Sequence, residues 1–159
     1  MYTIDMMLSK GYQIIIKNNL LNDIDSEIKK VYQNKNVYII TDERVGAIYL
    51  QKVEEALSSF SVQSTTIKGY EESKSIETYA YLCQRLIELG ATRGELLIAL
   101  GGGVIGDLVG FVASTLYRGM PFVQIPTSLL AQVDSSIGGK TGIDFLGHKN
   151  IIGAFNQPI

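Results

Sequence analysis

The sequence is poor in the residues that cross-link proteins or bind transition metals. It contains one cysteine, Cys83, and one histidine, His148. A single cysteine cannot form a disulfide within the chain, and a single histidine excludes a metal site built from several histidines. Cys83 lies in a helix-spaced series of apolar residues that begins at Ile76 and ends at Ile87, so we interpret it as a small core residue and not as a nucleophile.

The sequence also lacks a strong charge of either sign and a long apolar run. Its formal net charge is -2, which predicts no extended surface for binding nucleic acid. The N-terminus has neither the basic start nor the apolar segment of a signal peptide. The longest stretch without a charged residue, 119–133, contains Pro121, Gln124 and Pro126 and is too short and too polar to cross a bilayer. We therefore expect a cytoplasmic protein without membrane partners.

The remaining composition is that of a globular protein, with 46% hydrophobic and 19% charged residues. Apolar runs and periodicity predict strands at residues 12–16, 37–40, 60–67, 96–100 and 123–125. Helical spacing predicts helices at residues 21–32, 45–57, 76–89, 104–117 and 128–136, and residues 137–159 are glycine-rich. This alternation predicts an α/β fold over residues 1–159, with a Rossmann-like, mostly parallel sheet and helices on both faces.

A glycine motif follows the predicted strand at residues 96–100. Gly101, Gly103 and Gly106 have the G-x-G-x-x-G spacing that lets the backbone approach a pyrophosphate at the N-terminus of a helix. The next predicted strand ends in Pro126 and Thr127 and lacks the ribose-binding acid of the usual fingerprint. The motif alone leaves two interpretations, a dinucleotide site and a tight turn between a strand and a helix.

Polar residues upstream of this motif also have two interpretations. Asp42 follows a predicted strand, where a carboxylate can accept the hydroxyl groups of a ribose, but locally a helix N-cap is the better interpretation. Glu71, Lys74 and Ser75 form a polar cluster. By composition this cluster is a solvated loop with Ser75 as the cap of the next helix.

Residues 124–141 have the pattern of an anion site. They combine hydroxyl groups after a strand, the acid Asp134 and the sequence Gly139-Lys140-Thr141. A P-loop requires glycine at the position of Asp134, so a nucleoside triphosphatase is disfavoured. Further along the chain, His148, Lys149 and Asn150 have two interpretations. They supply a cation and an amide to such a site, or they form an exposed turn.

In this order the motifs resemble the 3-dehydroquinate synthase family, which belongs to the sugar phosphate cyclases. The resemblance covers essentially the whole chain and is densest over residues 95–158. It is carried by residues 101–108, 118–119, 124–141, 149–150 and 153–155, with Glu71-x-x-Lys74-Ser75 upstream. It implies the NAD-binding N-terminal domain of a lyase of the shikimate pathway. Such enzymes convert 3-deoxy-D-arabino-heptulosonate 7-phosphate, a sugar-acid phosphate, to 3-dehydroquinate and phosphate.

The resemblance also implies a role for each matching residue. At the adenosine side of NAD it places Asp42, Glu71 and Lys74, and at the pyrophosphate Gly102, Gly103 and Val104. The cofactor site is completed by Asp107, Thr127, Ser128 and Lys149. The residues expected to act on the substrate are Asp134, Lys140 and Asn150, the last two near its phosphate. Arg118 is expected to reach into the partner subunit's site in a homodimer.

The resemblance further implies a divalent metal, zinc or cobalt, whose glutamate and histidine ligands belong to a helical C-terminal domain. None of the residues in this sequence is expected to bind that metal. We therefore expect a fragment of a longer two-domain enzyme, without the helical domain. It would supply the NAD site and part of the substrate site and be inactive alone.

The sequence departs from the family pattern at a few positions. Arg44 stands where asparagine is frequent near the adenosine ribose, Ser128 where threonine is common, and His148 where glycine is usual. Two alternatives remain open. One is another sugar phosphate cyclase, such as 2-deoxy-scyllo-inosose synthase, and the other is a nucleotide-binding module without catalytic activity.

Overall fold

Strands and helices alternate along most of the chain. A computed structural model describes residues 1–7 and 11–159. Its strands are β1 (Tyr2–Met6), β2 (Tyr12–Ile16), β3 (Asn36–Asp42), β4 (Ser61–Ile67), β5 (Leu96–Gly101), β6 (Phe122–Pro126), β7 (Lys140–Phe145) and β8 (His148–Phe155). Its α-helices are α1 (Ile24–Val31), α2 (Glu43–Ala56), α3 (Ile76–Glu88) and α4 (Gly103–Thr115). Shorter helical turns are Leu20–Asp23, Glu71–Ser73, Leu116–Arg118 and Ala131–Ser135, the last a π-helix.

The centre of the fold is a parallel sheet of four strands in the order β4-β3-β5-β6. Every residue of β5 is buried, and so is every residue of β3 after Asn36. Continuous apolar runs of this kind are typical of parallel strands that are covered on both faces. The parallel pairing aligns the carboxyl ends of β3, β5 and β6 at one edge of the sheet.

Helices cover both faces of this sheet, because side chains alternate between the faces along each strand. On one face Tyr38 and Ile40 of β3 pack in one buried cluster with residues of α3 and α4. On the other face Val37 and Ile39 pack with residues of α1 and α2. The predicted α/β fold, with a mostly parallel sheet between helices, is confirmed.

The remaining strands form two antiparallel pairs outside the parallel sheet. The predicted strand at residues 12–16 exists as β2 but pairs with β1, which the sequence did not predict. For the glycine-rich residues after 136 the sequence predicted no particular element. They contain the hairpin of β7 and β8, in which Gly142 lies opposite Gly153. Carbonyl oxygens of the facing strands occupy the space that a Cβ atom would need at both glycines, so glycine here permits close strand contact.

Candidate functional site

The carboxyl edge of the parallel sheet collects residues that are far apart in sequence. Asp42 ends β3, Gly102 follows β5, and Thr127 follows β6. The backbone N–H of Thr127 donates to the carbonyl oxygen of Gly101 over 3.0 Å, which ties the last two ends together. These three residues therefore lie at one edge of one parallel sheet. Open α/β sheets bind ligands at this edge.

The N-terminus of α4 opens onto this edge without a side-chain cap. Gly102 is its N-cap residue, and the first turn contains Gly103 and Val104, so the helix begins one residue before the predicted start. A Cβ atom at Gly102 would meet only Ser128 Oγ at 3.4 Å, and one at Gly103 would meet Ser135 Oγ at 3.2 Å. The backbone N–H groups of the first helical turn have no partner inside the helix. This helix end can therefore bind an anion through its N–H groups and its dipole.

Asp42 is buried and caps the following helix. Its Oδ1 accepts from the backbone N–H of Arg44 over 2.9 Å and of Val45 over 3.0 Å, so the N-cap interpretation is confirmed. Gly69 lies against the carboxylate, since a Cβ atom there would be 2.6 Å from Asp42 Cγ. The Arg44 guanidinium stacks over the Tyr70 ring, 4.9 Å from its centroid. Contact of Asp42 with a ribose stays a prediction.

A buried polar cluster joins the loop before α3 to α4 and to the hairpin. Lys74 is 3% exposed. Its Nζ donates to Asp107 Oδ2 over 2.8 Å and also to Asn150 Oδ1. Burial raises the pKa of the Asp107 carboxyl, the Lys74 ammonium acts against this rise, and Glu71 adds to it. The predicted cofactor residues Lys74 and Asp107 therefore contact each other and a predicted substrate residue.

Lys149 and Glu71 form a second, more exposed ion pair beside this cluster, with Nζ and Oε1 3.1 Å apart. The Glu71 carboxylate raises the pKa of the Lys149 ammonium. The alternative in which residues 148–150 form an exposed turn is wrong, because they begin β8 and the turn comes earlier, at Leu146 and Gly147. Their exposure is as expected.

Three of the predicted site residues lie on exposed positions after β6. Ser128 precedes the helical segment that contains Asp134, and Lys140 begins β7. The Ser128 hydroxyl oxygen accepts from the backbone N–H of Ala131 over 3.3 Å. Asp134 turns the chain toward the hairpin, because its carbonyl oxygen accepts from the N–H groups of Ile137 and Gly138. All three positions follow β6, which ends at the carboxyl edge.

Arg118 lies apart from the other site residues. It follows the C-terminus of α4, a helix of 13 residues, which starts at the carboxyl edge and is therefore about 20 Å long. Tyr117 and Arg118 have φ angles of 54° and 63°, in the left-handed region. Such backbone strain in non-glycine residues is concentrated at functional sites. The structure does not bring Arg118 to the site of its own chain.

Among the residues that the structure describes, no three histidine, cysteine, aspartate or glutamate side chains come together as metal ligands. His148 is exposed at the start of β8. These residues therefore do not fit the zinc or cobalt site that the resemblance implies. In the described ranges 1–7 and 11–159, no helix combines the length and the apolar character needed to cross a bilayer.

Asp144 belongs to this site but was missed by sequence reasoning. Its backbone N–H donates to the carbonyl oxygen of Lys74 over 2.7 Å, and its Oδ1 accepts from the backbone N–H of Asn150 over 2.8 Å. The only signal in the sequence was an acid within a glycine-rich segment. Its importance depends on the hairpin, which was itself not predicted.

A parallel sheet with polar residues and an uncapped helix N-terminus at its carboxyl edge is the arrangement typical of α/β nucleotide-binding domains. Comparison with known proteins then gives the family. The chain belongs to the 3-dehydroquinate synthase N-terminal family, whose model matches residues 64–159.

Relatives with curated names agree with this assignment. The 3-dehydroquinate synthase of Clostridium botulinum (strain Alaska E43 / Type E3) is 48% identical over 151 residues, which cover 94% of this chain and 43% of the relative. A solved 2-deoxy-scyllo-inosose synthase, complexed with carbaglucose-6-phosphate, NAD+ and Co2+, is 26% identical with a TM-score of 0.91. That match covers 99% of this chain and 43% of the solved one.

A further solved structure is the 2-epi-5-epi-valiolone synthase of Streptomyces hygroscopicus subsp. jinggangensis 5008 with NAD+ and Zn2+ bound. It is 26% identical with a TM-score of 0.82, and the match covers 99% of this chain and 44% of that one. The chain thus spans less than half the length of these relatives.

Proposed function

We propose that this chain is the NAD-binding part of a 3-dehydroquinate synthase. The proposed reaction converts 3-deoxy-D-arabino-heptulosonate 7-phosphate to 3-dehydroquinate and phosphate. The observation that carries the proposal is the uncapped N-terminus of α4 at the sheet edge between Asp42 and Thr127. The substrate assignment is supported by the 48% identity to a named 3-dehydroquinate synthase, against 26% to the 2-deoxy-scyllo-inosose synthase.

The residues at the carboxyl edge fit a dinucleotide. Gly102 leaves space for a pyrophosphate against the free N–H groups of Gly103 and Val104. Thr127 and Ser128 present hydroxyl groups on one side of this loop, and Asp42 lies on the other at the end of β3. Bound NAD would supply a hydride acceptor for a substrate alcohol and later return the hydride.

The side chains on the hairpin side fit an anionic substrate. Lys140 and Asn150 are exposed there and supply N–H donors, and Lys149 adds a second cation. Ammonium and amide donors of this kind recognise phosphate oxygens. Asp134 would contact the sugar portion or accept a proton from it. The proposed division is therefore a cofactor side at α4 and a substrate side at the hairpin.

The family's divalent metal does not find its ligands among the described residues. We propose that its ligands lie outside residues 1–159, in the part of the relatives that this chain does not span. We also propose that the complete protein is a cytoplasmic homodimer. The strained turn at Arg118, distant from its own site, supports a role for Arg118 in the partner subunit's site.

Titration of the chain with NAD+ tests the proposal, with Gly102→Ala as the decisive variant. The main chain at Gly102 has φ -77°, which alanine can adopt, and the added methyl group makes only an ordinary contact with Ser128. The fold should therefore persist, while the methyl group occupies the space needed by the pyrophosphate. We expect the variant to bind NAD+ at least about tenfold more weakly in isothermal titration calorimetry.

Gly94→Ala is the matched control at the opposite end of the same strand. Its added methyl group would lie 3.4 Å from Asn34 Nδ2, an ordinary contact like the one at Gly102. The NAD+ affinity of this control should stay within about twofold of wild type. The tenfold loss expected for Gly102→Ala corresponds to about 1.4 kcal/mol of binding free energy. Equal affinity of Gly102→Ala and wild type would place the pyrophosphate elsewhere, and absence of NAD+ binding would refute the proposed function.

A further inference from the structure

Asn150 occupies an irregular position in the β7–β8 hairpin. The register of the hairpin shifts between Ile143 and Phe145, and Asn150 faces this irregularity with φ 53°, in the left-handed region. Asparagine tolerates this conformation better than most residues, but it still needs support from its surroundings. That support comes from Asp144, whose Oδ1 accepts from the backbone N–H of Asn150 over 2.8 Å.

The side chain of Asn150 is held from the opposite direction by Lys74. The Lys74 ammonium donates to Asn150 Oδ1 and is itself buried. Because an ammonium group has donors and no acceptor, the amide must turn its oxygen toward Lys74. Its Nδ2 group, with two N–H donors, then points away from Lys74. Asn150 is exposed, so these donors are accessible to a ligand.

Asp144 is hydrogen-bonded to the backbone of both Asn150 and Lys74. Besides accepting from Asn150, it donates its own backbone N–H to the carbonyl oxygen of Lys74 over 2.7 Å. The hairpin and the loop that carries Lys74 are therefore joined at Asp144. Removing the Asp144 carboxylate would free the backbone of Asn150 while Lys74 still held its oxygen, and the direction of the Nδ2 group would no longer be fixed.

We infer that Asp144 is a positioning residue that holds Asn150 so that its side-chain amide donates to an anionic oxygen of the substrate. The inference rests on the proposed function, because that function supplies the phosphate-bearing substrate. Asp144 itself does not need to touch the ligand. Its contribution is the hydrogen bond to the Asn150 backbone, and its charge is not required for that bond.

The test uses the full 159-residue chain, with inorganic phosphate as the probe and chloride at matched ionic strength as the reference. Binding is followed through the side-chain Nδ2 resonances of Asn150 in 1H–15N spectra. Phosphate, but not chloride, should shift these resonances in the wild type. Asp144→Ala should bind phosphate about tenfold more weakly, because it loses the hydrogen bond that positions Asn150 for the phosphate. Asp144→Asn keeps an Oδ1 acceptor and should bind within about threefold of wild type.

Gly147→Ala separates positioning from general weakening of the hairpin. Gly147 has φ 79° and open space around its Cβ position, so alanine strains the same turn without touching the Asp144 bond. This control should lose stability but keep phosphate affinity. Equal loss of affinity in Gly147→Ala and Asp144→Ala would overturn the inference, as would a loss in Asp144→Asn equal to that in Asp144→Ala.

A second measurement needs no variant, in case Asp144→Ala fails to fold. Hydrogen exchange of the Asn150 backbone amide should be slow in the wild type and slower with phosphate. Exchange at the rate of an unstructured amide would overturn the inference, and so would a wild-type spectrum that phosphate does not change. NAD+ titration of the same sample tests the proposed function separately. If NAD+ binds but phosphate does not shift the Asn150 resonances, the inference is refuted and the proposed function is not.

Discussion

At the scale of single residues, Lys74 shows how the site combines stability with ligand recognition. It is the least exposed charged residue in the part of the chain that the structure describes. A buried ammonium group needs hydrogen-bond acceptors, and Asp107 and Asn150 accept from two of its three N–H donors. Lys74 was expected to hold the adenosine side of NAD. That role stays a prediction, and its contacts with Asp107 and Asn150 connect residues of the candidate site.

Lys74→Met is expected to lower the free energy of unfolding by about 3 kcal/mol at neutral pH, because it leaves the Asp107 carboxylate partly buried and unpaired. Urea denaturation measures this loss. The double variant Lys74→Met/Asp107→Asn is the matched comparison, since the neutral amide removes the uncompensated charge. It should recover part of the lost stability. A double variant less stable than the single one would contradict the argument.

The loss in Lys74→Met should also depend on pH. Burial already raises the pKa of Asp107 and Lys74 acts against the rise, so removing Lys74 raises this pKa further. A carboxyl group whose pKa is higher in the folded than in the unfolded state favours folding below its unfolded value, and this contribution is lost as the pH rises through the folded value. The deficit should therefore shrink as the pH falls toward about 4, the ordinary pKa of an aspartate, and be smallest below that pH. A deficit that grows toward acid pH would show that Asp107 is not its cause.

At the scale of elements, α4 connects the central sheet to the hairpin through glycines on its buried side. A Cβ atom at Gly106 would lie 2.5 Å from Gln124 Oε1 on β6. One at Gly110 would overlap the side chain of Thr141 on β7 and lie 3.4 Å from Phe122 Cε2. The close approach of the helix to both strands depends on these small residues. This approach places the substrate side of the site beside the cofactor side.

Gly110→Ala is therefore expected to destabilise the chain by about 1–3 kcal/mol, because overpacking outweighs the better helix propensity of alanine. Gly46→Ala on α2 is the control. Its Cβ atom would meet the methyl group of Thr41 at 3.1 Å, which a side chain can relieve. Its stability should change by less than about 1 kcal/mol. Thermal unfolding of both variants decides, and equal stability of the two would refute close packing of α4 on β7.

The elements that the sequence predicted are those whose burial produces an apolar run or an apolar stripe in the sequence. β5 is a continuous apolar run, and α3 has an apolar stripe with the Ser75 cap confirmed by its bond to the N–H of Thr78. The β7–β8 hairpin has no such apolar pattern. Gly142 and Gly153 face each other there for close strand contact, so the segment has the composition of a loop.

The same limit applies to the candidate site. The sequence suffices to place Asp42, Gly102 and Thr127 together. Each follows a predicted strand, and the carboxyl ends of parallel strands share an edge. The contact between Lys74 and Asn150 joins residues 76 positions apart through the hairpin. No local pattern encodes such a contact. Asp144 was missed for the same reason, and the resemblance to a family supplied Lys74 and Asn150 without their mutual contact.

At the scale of the whole molecule, the described residues include the proposed cofactor side and the proposed substrate side, and no metal centre is found among them. In the proposed function the sheet edge and the α4 N-terminus bind NAD, and exposed donors of the hairpin bind an anionic substrate. Removing a hydride from an alcohol requires strong stabilisation of the developing alkoxide, which a divalent metal commonly supplies. Catalytic zinc sites use three protein ligands as a rule. No such group of side chains exists in the described ranges.

We therefore predict that the purified 159-residue chain, given NAD+ and Zn2+ or Co2+, releases no phosphate from 3-deoxy-D-arabino-heptulosonate 7-phosphate. Binding and positioning by Lys140 and Asn150 cannot replace the missing electrostatic support for oxidation. A phosphate-release assay measures the outcome, with the complete C. botulinum relative as the positive control under identical conditions. Calorimetric NAD+ binding by the same sample shows that the chain is folded and competent. Metal-dependent turnover that disappears in Asp134→Ala would place the metal chemistry within these residues and refute the division of roles proposed above.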